Sequence, residues 1–199
     1  MPFVPKITGS SLVVLLSFVP ALAFADFCDL ISGGAAPSCR SNAASMGATV
    51  VGNWLRLKPE MASQPNTGKK GKFASASTVS YELIGVKSPD RFKLTIDCFA
   101  GERSMRLQAI PYMLGLTNGR NTAFKLTFKI DEKTPFAESW VLNWQRSELE
   151  APSGSRLAAG LSGAHDLVIL TEGIVGNNSR VGYTYKVDGF DAANSAVCK

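Results

Sequence analysis

The stretch Phe92–Cys98, with the sequence Phe-Lys-Leu-Thr-Ile-Asp-Cys, alternates apolar and polar residues. This period of two is what a β-strand needs in order to bury one face and leave the other in water. The last apolar position is Cys98, and another cysteine, Cys198, precedes the final residue of the chain. A bond between them would tie a central strand to the C-terminus. The strand therefore has a structural role, and its polar residue Asp97 is expected to be solvated rather than catalytic.

Residues 1–25 have the pattern of a secretory signal peptide. Lys6 supplies a short basic region, Leu12–Val19 is apolar, and Ala23-Phe24-Ala25 has the small-x-small form of a cleavage site. The apolar run is too short to span a bilayer comfortably. No later segment is apolar enough, so we expect no stable membrane span after cleavage. The sequence predicts a mature chain of residues 26–199 that is periplasmic or secreted.

The four cysteines, Cys28, Cys39, Cys98 and Cys198, all follow the signal peptide. An even number of cysteines in an exported chain predicts two disulfides. Three pairings are possible, and we favour Cys28–Cys39 with Cys98–Cys198, because the first pair closes a short local loop rich in Gly, Pro and Ser. Zinc is the competing interpretation. The chain has no C-x-x-C pair and a single histidine, so no metal is expected.

Further segments alternate in the same way and are separated by turn residues. The predicted strands are 49–57, 78–86, 105–110, 123–130, 139–145, 167–171 and 181–187. The pattern predicts a mostly all-β fold, an antiparallel β-sandwich or partly closed barrel with one or two short helices, at 156–161 and 192–197. Asp191 is expected to cap the second of these helices.

The mature chain is expected to have two parts. Residues 26–48 form a disulfide-stapled N-terminal arm, and residues 49–199 form the β-domain. The arm could hold a short helix at Asp29–Ser32, which Gly33, Gly34 and Pro37 would break. The polar stretch 58–72 is expected to be a basic loop or hairpin tip.

Charge and motifs exclude some classes of function. The formal net charge is +5, and it is +4 once residues 1–25, which contain Lys6 and no acid, are removed. This excess is too small to indicate a nucleic-acid partner. The glycines and lysines of 68–72 lack the spacing of a phosphate-binding loop. The sequence indicates no cofactor.

No set of residues identifies a reaction. His165 precedes Asp166, but neighbours on a strand point to opposite faces. Ser162 follows a predicted helix and lacks the final glycine of a nucleophile elbow. The pairs Glu148/Glu150 and Asp131/Glu132 could serve a glycosidase, but we interpret them as exposed loop acids. We therefore assign no catalytic, cofactor-binding or metal residue.

Two tryptophans could form a platform that stacks on sugars. Trp140 and Trp144 share a face of the predicted strand with Leu142. Packing in the core is the favoured interpretation for both of them.

The order of these features resembles a known family. A strand ends in cysteine at Cys98, another ends in Lys129-Ile130-Asp131, and a tryptophan strand follows at Ser139-Trp140. The chain closes on Asp188-Gly189-Phe190-Asp191-Ala192-Ala193 and a last cysteine. This order is similar to the VasI-like exported accessory proteins encoded with type VI secretion systems, in which an early cysteine pair also precedes the sandwich. It also resembles, more faintly, the invasion-associated exported proteins of some bacteria.

The first resemblance implies a periplasmic, non-enzymatic accessory or binding role. We expect the partner to be another envelope protein or a cell-wall component. The alternatives are an envelope-polymer hydrolase that uses His165 or loop acids, and a secreted invasion or host-interaction factor.

Overall fold

A computed structural model describes residues 26–32, 36–64, 67–85, 91–108, 123–171 and 181–198. The predicted signal peptide, the predicted turn at 88–90 and the predicted connections at 111–119 and 176–178 lie outside these ranges. The strands are β1 Thr49–Val51, β2 Trp54–Arg56, β3 Glu60–Ser63, β4 Lys70–Val79, β5 Glu82–Ile84, β6 Lys93–Phe99, β7 Glu102–Gln108, β8 Ala123–Ile130, β9 Phe136–Asn143, β10 Glu148–Glu150, β11 Asp166–Thr171 and β12 Gly182–Lys186. The helices are α1 Phe27–Ser32, α2 Ala36–Ser45, α3 Leu157–Gly160 and α4 Phe190–Val197.

The twelve strands form one antiparallel sheet that does not close. Their order is β1-β2-β4-β6-β7-β10-β9-β8-β11-β12-β5, and β3 pairs with β4. The sheet curls around one main core, because a large cluster of buried side chains joins strands from both halves, including Trp54, Leu94, Leu126 and Tyr183. A smaller cluster packs α1 and α2 against Val79. The predicted antiparallel all-β fold is confirmed, and the described ranges contain four short helices.

Strand β6 contains the alternating stretch, and it lies between β4 and β7. Leu94 and Ile96 are fully buried in the core. The β6–β7 hairpin turns at Ala100 and Gly101, which both have positive φ, of 50° and 86°. Two such residues give the turn whose twist matches that of the flanking strands. The turn therefore fixes the register in which Cys98 lies opposite Arg103.

Side chains bridge the gap between the two halves of the curled sheet. The Trp54 indole nitrogen donates to the carbonyl oxygen of Val187 at 3.2 Å, and its ring packs edge-on against Phe190, with ring centroids 5.4 Å apart. The Thr78 hydroxyl donates to the Lys186 carbonyl at 3.3 Å. Individual hydrogen bonds and aromatic packing thus replace a strand ladder between β4 and β12.

Two glycine-containing turns meet closely beside this gap. The Asn53 amide donates to the Asp188 carbonyl at 2.9 Å. A Cβ at Gly52 would lie 2.3 Å from that carbonyl oxygen, and a Cβ at Gly189 would lie 2.7 Å from the carbonyl oxygen of Val51. Both glycines have positive φ. No other residue fits here without displacing the backbone.

Both favoured disulfides are confirmed. Cys28 is bonded to Cys39, which joins α1 to α2, and Cys98 is bonded to Cys198, which joins β6 to the end of α4. The short helix predicted at Asp29–Ser32 lies within α1, and a second helix that the sequence did not predict, α2, contains Pro37. Pro37 lies in the first turn of α2, where its missing amide hydrogen would have no partner inside the helix.

The stretch 58–72, predicted to be a basic loop or hairpin tip, is a hairpin between β3 and the start of β4 with a turn at its tip. Three local predictions were wrong. The strand predicted at 49–57 is a hairpin that turns at Gly52, and the strand predicted at 78–86 is divided between β4 and β5. Asp191 does not cap α4; its side chain accepts a hydrogen bond from the Gly163 amide.

The two disulfides should contribute differently to stability because the loops they close differ in length. The cysteine pairs are 11 and 100 residues apart. Replacing Cys28 and Cys39 with serine should lower the free energy of unfolding by about 3 kcal/mol, and replacing Cys98 and Cys198 by about 4 to 5 kcal/mol. Urea unfolding measures both values. Equal losses would contradict an effect of loop length.

The contact between the two glycine turns can be tested with one matched pair of variants. Gly52→Ala and Gly154→Ala both place a side chain at positive φ, which costs about 1 to 2 kcal/mol. Only the first creates a clash, since nothing lies within 4 Å of a Cβ at Gly154. We expect Gly52→Ala to lose about 1 to 3 kcal/mol more in urea unfolding. Equal losses would show that the two turns separate at little cost.

Candidate functional site

A groove of about 560 Å³ lies on the outer face of the sheet, over β3, β4, β6, β7 and β10. Its lining combines acids, arginines and two half-buried aromatic rings. These residues are Glu60, Phe73, Asp97, Phe99, Glu102, Arg103, Arg106, Arg146 and Glu150, together with smaller side chains. We call this surface the outer groove.

An ion-pair network lies at the base of the outer groove. Arg106 lies on β7, and its Nε is 2.5 Å from Oδ2 of Asp97 on β6. Its Nη1 also contacts a carboxylate oxygen of Glu148 on β10. Strand register explains this arrangement. Thr95 and Glu150 lie directly opposite Arg106. Asp97 and Glu148, each two residues along the same strand, are therefore the diagonal neighbours of Arg106.

Burial would by itself lower the pKa of the Arg106 guanidinium. The hydrogen bond that Arg106 donates to Asp97 and the charges of both acids outweigh this effect and raise that pKa above its ordinary value. The arginine is therefore a fixed positive charge between two strands.

Asp97 is not solvated, and that prediction was wrong. Its side chain is only 7% exposed, and Thr95 on the same face of β6 is also buried. Period-two alternation assigns these residues to the water face, but neighbouring strands and the Arg106 side chain cover them. Oδ1 of Asp97 is buried and accepts no hydrogen bond in the described part of the chain. A buried carboxylate oxygen without a donor is costly to the folded state.

A second groove, of about 690 Å³, adjoins the first. It shares Glu102, Arg103, Ser104 and Ala151 with the outer groove. The rest of its lining is mostly small: Met105, Pro152, Ser153, Gly154, Ser155, Ala158 and Ala159. The two grooves therefore meet along the start of β7.

His165 lies in a different depression, of about 510 Å³. Its side chain is 71% exposed, and its Nδ1 contacts an Asp188 carboxylate oxygen. The hydrogen bond and charge of Asp188 raise the pKa of His165 above its ordinary value. The neighbouring Asp166 pairs instead with Lys186, 2.6 Å away. The carboxylate that orients the histidine thus comes from the β12–α4 turn, which adjacency in the sequence could not show.

Asp131 organises the backbone beside this histidine. One of its carboxylate oxygens accepts hydrogen bonds from the amides of His165 and Asp166, at 3.1 and 2.8 Å. Its slight burial would raise its pKa, but these bonds and the charge of His165 lower the pKa below its ordinary value. Asp131 is therefore a structural acid of this turn, and Glu132 is exposed beside it.

The structure separates the other sequence candidates. Ser162 is exposed in the turn after α3. The interpretation of Glu148 and Glu150 as loop acids was wrong: both lie on β10, half-buried and on the same face. Trp140 is buried in the core as expected, whereas Trp144 is 42% exposed in the β9–β10 turn, so its predicted burial was wrong.

The described ranges contain neither a metal-binding cluster nor a membrane-spanning helix. No group of three or more His, Cys, Asp or Glu side chains could hold a metal ion. No helix there is long and apolar enough to cross a membrane.

The pair of His165 and Asp188 can be tested by titration, since the chain has a single histidine. Asp188→Asn should lower the pKa of His165 toward its ordinary value, because the main hydrogen bond and charge are removed. Asp166→Asn, whose charge acts more weakly, should lower it less. The imidazole proton signals in NMR spectra measure both effects.

The same pair has a consequence for stability. A raised pKa in the folded state means that the pair stabilises the fold at low pH and that this contribution is lost as the pH rises through that pKa. The advantage of the wild type over Asp188→Asn should therefore shrink as the pH rises. An unchanged titration of His165 in Asp188→Asn would contradict the pairing.

Comparison with known proteins gives a structural similarity but no family. The chain matches no family model and no curated protein. Among solved structures, invasion associated protein B from Bartonella henselae is similar, with 12% sequence identity and a TM-score of 0.48, over 75% of this chain and 93% of that one. This neighbour carries the name of the invasion-associated proteins, the second of the two groups that the sequence resembles. The resemblance to VasI-like proteins has no match and stays a prediction.

Proposed function

We propose that this chain is an exported, non-enzymatic binding or accessory domain, and that the outer groove holds its partner. The partner is another envelope protein or a cell-wall component in the periplasm, or a host component if the protein is secreted. The two disulfides indicate an oxidising environment and support export. Association with a type VI secretion system belongs to this proposal through the sequence resemblance.

The observation that carries the proposal is the base of the outer groove. A half-buried arginine is fixed between Asp97 and Glu148, and an oxygen of Asp97 has no donor among the described residues. Arg103 and Arg146 line the same groove and form no ion pair with a described residue. Fixed charges, an unfilled acceptor and two half-buried phenylalanines suit recognition of a polar partner.

The second candidate is hydrolysis of an envelope polymer at His165. The contact with Asp188 favours it, because a general base needs a group that orients its imidazole. The exposure of His165 weighs against it, since the imidazole is not enclosed with a substrate. The two candidates place the partner on different surfaces, so one experiment can separate them.

Photo-crosslinking in cells that export the protein tests both sites. A photoreactive amino acid replaces Ser104 in the outer groove or Glu132 beside His165. We expect an adduct from position 104 and none from position 132. Arg146→Ala should lower the yield of the adduct, and Lys58→Ala, which changes an exposed lysine outside the groove, should not.

The opposite result would overturn the assignment of the site. An adduct from position 132 alone, together with loss of activity on envelope polymers in His165→Ala, would support the hydrolase. An adduct from position 104 that Arg146→Ala leaves unchanged would mean that the arginine of this groove does not contribute to binding.

A further inference from the structure

One edge of β7 is open at its start. This strand pairs with β6 along its whole length, but with β10 only from Arg106 to Gln108. The ladder gains one more bond, from the Ala151 amide to the Met105 carbonyl at 2.9 Å. Pro152 follows and has no amide hydrogen, so the ladder ends there. In the described part of the chain, no strand pairs with this side of Glu102–Ser104.

The free backbone groups of this edge belong to Arg103. In an antiparallel strand, successive residues direct their N–H and C=O groups to opposite sides. The Met105 carbonyl points toward β10, so the groups of Arg103, two residues earlier, point to the same side. Those of Ser104 point toward β6, where it is paired with Asp97. Arg103 therefore offers one donor and one acceptor at the open edge.

The two grooves lie on either side of this edge. Alternate side chains of any strand added here would enter the outer groove and the second groove in turn. The outer groove presents four carboxylates, those of Glu60, Asp97, Glu102 and Glu150, against the three arginines Arg103, Arg106 and Arg146. The second groove presents small apolar groups, including those of Ala151 and Ala158. The edge is thus suited to a segment that alternates basic and apolar residues.

We propose that an extended segment of a partner protein adds to β7 as a further strand at Arg103. Its central residue exchanges two backbone hydrogen bonds with Arg103 and places an apolar side chain in the second groove. The residues on either side are basic, and one of them pairs with the exposed carboxylate of Glu102. This mode of recognition takes affinity from the backbone and specificity from alternate side chains. The proposal rests on the proposed binding function and names the class of partner.

A synthetic peptide that alternates lysine and leucine is the probe. The fluorescence anisotropy of this peptide reports its binding to the wild-type protein and to two variants at Arg103. Arg103→Ala removes the side chain and keeps the backbone donor, whereas Arg103→Pro also removes the donor. Arg103→Pro leaves the hydrogen bonds between β7 and β6 intact, because the amide that it removes points away from β6. Proline is tolerated at such edge positions. We expect Arg103→Pro to bind about tenfold more weakly than Arg103→Ala, the loss expected for one hydrogen bond.

Three further measurements keep the test independent of the folding of the proline variant. Methylating the central amide nitrogens of the peptide should abolish its binding to the wild-type protein. Hydrogen exchange at the Arg103 amide should slow when the unmodified peptide binds. A peptide with glutamate in place of lysine should bind at least tenfold more weakly, because it faces Asp97 and Glu102.

The outcomes separate this proposal from the proposed function. Equal affinities of the two Arg103 variants, or equal binding of the lysine and glutamate peptides, would overturn strand addition. The binding function would stand in that case if position 104 still cross-links a partner. A third outcome is that the wild-type protein binds no peptide but forms a dimer, which Arg103→Pro dissociates. In that case the strand added to β7 would come from a second copy of this chain and not from a partner protein.

Discussion

The bond between Cys98 and Cys198 is the constraint on which the rest of this structure depends. It joins the end of β6 to the end of α4, two segments 100 residues apart, with Cα atoms at 5.2 Å. Helix α4 also packs against β1, β2 and β4, and Phe190 at its start contacts Trp54. The bond therefore holds the last helix against strands near one end of the open sheet, where no backbone ladder does so.

The same constraint supports the start of β7. Cys98 lies opposite Arg103, and the Sγ of Cys198 lies 3.5 Å from the Gly101 carbonyl oxygen in the hairpin turn. The turn and the first residues of β7 are thereby attached to a covalently fixed point. Both grooves border this segment, so one wall of each groove belongs to a rigid part of the sheet. A binding surface on rigid elements loses less entropy when a partner is bound.

The sequence revealed the strands whose inner faces are apolar, because that alternation is local. Residues 123–130 were predicted to the residue, and both disulfides followed from export and loop length. Short strands such as β10 were missed, because three residues carry too little periodicity. The outer groove was missed for another reason. Asp97, Arg106 and Glu148 meet only through the register of three strands, and no sequence pattern encodes that register.

The energetics of Asp97 argue against a stabilising role for it. Replacing a buried ion pair by apolar residues is often neutral or stabilising, so the pair with Arg106 is weak evidence for a contribution to folding. The other oxygen of Asp97 has no donor among the described residues, which costs about 1 to 3 kcal/mol for a buried polar group. The charges at the base of the outer groove are thus explained better by the proposed binding function than by a contribution to folding.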